Sequence, residues 1–114
     1  MFRRISKRDK PAAIERATHY YAERLSAALD LARRRAARST PTVRALLASA
    51  KVVGRAPNSH IKAAVVSFEA SPFRGGLHHF YPWQYIDGLS HRELATDVSQ
   101  MLRIRLALRK KEGL

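Results

Sequence analysis

Residues 61–86 read IKAAVVSFEASPFRGGLHHFYPWQYI, and they separate an all-helical reading of this chain from a mixed one. Ile61–Glu69 is rich in β-branched and aromatic residues, which suits a partly buried strand. Ser71-Pro72-Phe73-Arg74-Gly75-Gly76 supplies turn residues. Leu77–Ile86 then reads as the hairpin partner, confined to a sheet edge because Pro82 has no N–H for a ladder. In strand geometry Leu77, His79, Tyr81, Trp83 and Tyr85 share one face, so the lone tryptophan, Trp83, is the expected aromatic anchor of the core.

On the N-terminal side the pattern is helical. Asp9 and Pro11 suit a helix entry, and Ile14, Ala17, Tyr21, Leu25, Ala28 and Ala32 recur at helical spacing, so a first helix is predicted to about Arg38. Ser39-Thr40-Pro41 joins a capping residue to a proline at the first helical position. Val43, Leu46, Leu47 and Ala50 then predict a second, shorter helix ending near Gly54, followed by a loop over 55–59. On the C-terminal side Ser90 and Glu93 form a capping box that opens a third helix, with an apolar stripe of Leu94, Val98, Met101, Leu102 and Leu108. The fold expected is a small single α+β domain with two N-terminal helices, a β-hairpin over about 61–86 and a C-terminal helix. Residues 1–10 are a basic N-terminal arm, and 11–112 form the domain.

The composition of the 114 residues narrows the function. No cysteine is present, which excludes a disulfide framework, a thiol nucleophile and Cys-containing zinc sites. No apolar run reaches the roughly 18 residues of a membrane span, so no membrane partner is expected. Lys and Arg number 22 against 9 Asp and Glu, a net charge of +13. Solubility alone asks for a net charge of only about 2–8. Three clusters hold nearly all of the excess: Arg3, Arg4, Lys7, Arg8 and Lys10 against Asp9; Arg33, Arg34, Arg35 and Arg38; and Arg103, Arg105, Arg109, Lys110 and Lys111 against Glu112. Clustered cations of this kind suit a polyanion, and planar arginine suits phosphate.

The expected function is therefore non-enzymatic binding of nucleic acid, either double-stranded DNA or structured RNA, mainly through phosphates. The expected contacts are Arg3, Arg4, Lys7, Arg8, Arg33, Arg34, Arg35, Arg38, Arg74, Arg92, Arg103, Arg109, Lys110 and Lys111. Within the last cluster, about 100° per residue places Arg105 near the apolar stripe, partly covered, and leaves Arg103, Arg109 and Lys110 exposed. The aromatics Phe73, Phe80, Tyr81, Trp83 and Tyr85 lie beside Arg74, His78 and His79, a mixture that also suits base stacking. Two other roles fit the same charge: a structural or assembly subunit of a virion or ribonucleoprotein, or an inhibitor or adaptor docking on an acidic protein surface.

Catalytic signatures are missing from the sequence. There is no GxSxG elbow, glycine-rich phosphate loop or HExxH pattern. Adjacent His78 and His79 point to opposite sides of a strand, so neither a metal nor a cofactor is expected. Leu89–Ala95 opens somewhat like a helix-turn-helix, but no turn interrupts Thr96–Leu102. The first ten residues lack the apolar stretch of a secretory signal, and the expected location is cytoplasmic.

Overall fold

The computed structural model describes residues 10–53, 63–69, 72–73 and 76–111. The chain is an α+β domain in which helices cover one face of a three-stranded antiparallel sheet. Helix α1 spans Lys10–Arg35 and continues as a single 3-10 turn over Ala36–Arg38. Helix α2 spans Pro41–Ser49, and strands β1, β2 and β3 span Lys51–Val53, Ala63–Phe68 and Leu77–Pro82. A short helix α3, Trp83–Asp87, leads into α4, His91–Lys111. The strands lie in the order β1-β2-β3, with Val53 opposite Val65 and Val65 opposite Phe80.

Local chemistry accounts for the element ends. Thr40 caps α2, its hydroxyl accepting from the Val43 N–H, with Pro41 at the first position. Ser90 and Glu93 exchange reciprocal bonds of 3.1 Å at the start of α4. The N–H and hydroxyl of Ser90 hold the Glu93 carboxyl below the usual carboxylate range. Before β3, Gly76 adopts φ +85°, where a side chain is strained, and its N–H bonds to Phe73 O.

The core is where α1 and α4 meet the sheet. Leu25, Ala28, Leu29 and Ala32 of α1 join Leu94, Ala95, Val98 and Leu102 of α4, with Ala64, Val66 and Phe68 of β2 beneath. Alanines at 28, 32 and 95 keep the two helices close. Leu46 and Leu47 of α2, Tyr81 of β3 and Ile86 of α3 close the cluster.

Three expectations need correction. The second helix stops at Ser49 rather than Gly54, and Lys51–Val53 pairs with β2 as an edge strand, so the hairpin becomes a three-stranded sheet. The first helix does reach Arg38, its last three residues as the 3-10 turn. The hairpin does not run to Ile86, because the strand ends at Pro82 and residues 83–87 are helical. Trp83 therefore leaves the strand alternation and is only half-buried, stacked on Tyr21 with ring centroids 5.0 Å apart. Tyr81, 1% exposed, is the core aromatic in its place.

Candidate nucleic-acid interface

The end of α1 and its 3-10 turn run alongside α4, and arginines tie the two together. Arg35 donates to the Arg92 carbonyl at 3.3 Å and to the Thr96 hydroxyl at 3.0 Å. Arg103 donates to the Ser39 hydroxyl at 2.9 Å. An open cleft of about 250 Å³ lies between them, with Arg35, Ser39, Thr96, Ser99, Gln100 and Arg103 supplying its polar wall. Helical geometry gathers these groups, since positions 92, 96, 99 and 103 follow one another at steps of three or four on one flank of α4.

None of the described residues lining the cleft is acidic. The guanidinium groups are oriented by hydroxyls and a carbonyl, which leave their charge intact. Planar forks held in place without a carboxylate suit the oxygens of a phosphate. Arg34, Arg38 and Arg92 are exposed and adjoin the cleft along the chain: Arg34 precedes Arg35, Arg38 precedes Ser39, and Arg92 lends its carbonyl to Arg35.

The remaining predicted contacts do not gather here. Arg33 was expected to be exposed, yet it is half-buried and donates to the carbonyls of Leu47 at 2.7 Å and Ala50 at 2.7 Å, satisfying the end of α2. It also pairs with Asp30 at 2.8 Å. Arg109 was likewise expected to face solvent, but it is half-buried, donates to Pro72 O at 2.6 Å and lies over the Phe73 ring. Arg105, expected to be partly covered, is exposed. It does sit at the predicted angle on the helix, but an open groove rather than core lies against that side. Lys110 and Lys111 are exposed, and Lys110 is roughly 27 Å along α4 from Arg92 at about 1.5 Å per residue. Arg3, Arg4, Lys7, Arg8 and Arg74 lie outside the described residues.

Sequence reading misses several contributors. Arg24 donates to the carbonyls of Ile86 and Leu89, fastening α1 to the end of α3. Beside it the Tyr21 hydroxyl donates to Asp87, and that carboxylate and burial together raise the Tyr21 pKa. The hydroxyls of Ser39, Thr96 and Ser99 were also unremarked, although the helical spacing of Thr96 and Ser99 to Arg92 and Arg103 is visible in the sequence.

His78 is exposed and His79 half-buried, on alternate sides of β3. Among the described residues no group of three or more histidine and carboxylate side chains is placed to hold a metal ion. No described helix is long and apolar enough to cross a membrane. No family model matches the chain, and neither the curated proteins nor the solved structures contain a match to it.

Proposed function

We propose that this protein binds nucleic acid without catalysing a reaction, gripping double-stranded DNA or structured RNA by its phosphates. The observation that carries this reading is the cleft between α1 and α4. Two guanidinium groups, Arg35 and Arg103, flank it, hydroxyls orient them, and no described lining residue is acidic. Arg34, Arg38, Arg92 and Lys110 extend the basic surface as solvent-facing contacts. A phosphate-directed surface fixes the position of a duplex but reads little sequence, so the binding is weakly selective. Such binding needs neither metal nor cofactor. On the same reading the protein acts in the cytoplasm.

Salt titration tests the reading. Affinity for duplex DNA, duplex RNA and single strands is measured against salt for the full chain and for Arg38→Gln/Arg92→Gln, which removes two exposed cations. Each phosphate of duplex DNA that the variant no longer neutralises flattens the log–log slope by about 0.9. Slopes that coincide overturn the proposal. Weak salt dependence throughout favours an acidic protein surface or the neighbours in an assembly.

A further inference from the structure

The opposite flank of α4 has a different chemistry. A groove of about 660 Å³ runs between it and β3, bordered by Tyr85 and by Met101, Ile104, Arg105 and Leu108 of α4. Four consecutive β3 residues, His79, Phe80, Tyr81 and Pro82, form its other side. Alternate residues of a strand point to opposite faces, so a groove that meets all four meets the strand at its edge. That edge is free: β3 is outermost in the order β1-β2-β3, and no described strand pairs with its far side. An outermost strand leaves alternate backbone N–H and C=O groups without a ladder partner on its outer side.

The exposed apolar side chains are concentrated at this place. Six large hydrophobics are exposed among the described residues, and four of them, Phe80, Tyr85, Ile104 and Leu108, line the groove. Isolated exposed hydrophobics are ordinary, but a contiguous patch marks a binding surface. The charges in the groove are unequal. Asp97 already accepts from the Tyr85 hydroxyl at 2.7 Å. Arg105 is exposed and makes no hydrogen bond or ion pair to another described residue. Its guanidinium is the open charge of the site.

We propose that this groove docks an extended segment of a partner protein, which adds to β3 as a fourth strand. The segment is apolar at alternate residues and carries a carboxylate for Arg105. The strand edge supplies the backbone partners, and Met101, Ile104 and Leu108 receive the inward side chains. Charge selects this occupant over a second copy, which would bring another +13 to the surface. Phe80 and Tyr85 expose rings in the groove, but the facing wall of Met101, Ile104 and Leu108 is aliphatic, which suits the side chains of a peptide better than a base held between rings. The inference goes beyond phosphate binding and does not depend on it.

A fluorescein-labelled octapeptide, Glu-Val-Glu-Val-Glu-Ile-Glu-Val, is the probe, with fluorescence anisotropy on the full chain as the readout. The controls are a block isomer that gathers all glutamates at one end, a version with lysine for glutamate, and a version N-methylated at alternate residues. The expected result is binding of the alternating peptide at least tenfold tighter than any control. Ile104→Lys, at a position 60% exposed, and Leu108→Lys each weaken it about tenfold or more while the melting curve and duplex DNA affinity are unchanged. Equal binding of the block isomer reduces the effect to net charge and overturns the proposal, as does full retention by the N-methylated peptide. It is equally overturned by a single-stranded oligonucleotide that displaces the peptide and is weakened by Ile104→Lys, or by a dimer that Ile104→Lys converts to monomer.

Discussion

Arg103 and Arg105 are two residues apart on α4, and they look out on different surroundings. At about 100° per residue they point in nearly opposite directions. Arg103 faces the end of α1, where Ser39, Thr96 and Ser99 supply hydroxyls and Arg35 a second guanidinium. Arg105 faces the groove beside β3, among Met101, Ile104, Leu108 and the edge of the sheet. Between these flanks runs the stripe Leu94, Val98 and Leu102, buried in the core where α4 packs on α1. In a chain this basic, the number of cations on a helix says little about what it binds. The neighbours of each cation decide, and tertiary packing sets them: hydroxyls and a second cation surround Arg103, the arrangement proposed to take phosphate, whereas aliphatic side chains and a strand edge surround Arg105, the arrangement proposed to take a peptide.

The comparison breaks most severely where both flanks share support. Leu102 is fully buried on the stripe that packs α4 against α1. Leu102→Ala should cost about 2–5 kcal/mol of stability, from reduced burial and the cavity left behind. Urea unfolding measures it, and nucleic-acid and peptide binding should fall together as the folded fraction falls. Loss at one flank alone, with stability unchanged, would show that the two do not depend on a common α4.

Next in size is a contrast within one run of arginines. Arg33 satisfies two carbonyls at the end of α2, whereas Arg34 is exposed. Hydrogen bonds to a charged group contribute about 1.5–3 kcal/mol each when sheltered; Arg33 retains 34% side-chain exposure, so about 1–2 kcal/mol is expected for Arg33→Gln. Arg34→Gln should stay within about 0.5 kcal/mol, with its effect on duplex binding instead. Thermal melts of the two variants sharpen the division between structural and ligand-facing arginines. Equal melting temperatures would erase it.

The sequence reveals elements more readily than neighbours. The Ser90–Glu93 box and the stripe of Leu94, Val98, Met101 and Leu102 depend on residues close in the chain, and both form as their spacing predicts, whereas Leu108, expected on the same stripe, is exposed. Thr40 and Pro41 likewise start α2. β1 is three residues long, too short for an alternation to register, and it is a strand only because β2 pairs with it. Trp83 departs from its expected place because a period of two does not extend past Pro82, where the backbone turns helical. Charge alone gives no sign that Arg33 and Arg109 are each fixed by carbonyls distant in sequence, Leu47 and Ala50 for one and Pro72 for the other. The groove is illegible for the same reason: Ile104 and Leu108 continue a helical apolar pattern, and only the path of β3 leaves them uncovered.

The smallest predicted effect separates the flanks by pH. His79 lies at the groove with its ring edge-on to Tyr81 at 4.8 Å, whereas the described lining of the cleft between α1 and α4 contains no histidine. Burial lowers the His79 pKa below its ordinary value, the Arg105 guanidinium lowers it further, and the Asp97 carboxylate opposes both. Folding thus favours the neutral ring, and between the ordinary value near 6.5 and the lower folded value the unfolded chain holds more protons. Stability from this residue is fully present above about pH 6.5, declines as the pH falls through that interval, and levels off once both states are protonated. Melting temperatures from pH 8 to pH 5 should therefore fall less for His79→Gln than for the parent chain. Arg105→Gln should move the His79 titration, followed by NMR of its ring protons, back toward the ordinary value, while Arg103→Gln on the other flank should leave it in place. A His79 that titrates at or above its ordinary value, or that responds to Arg103 as strongly as to Arg105, would mean that the two sides of α4 are electrostatically one surface.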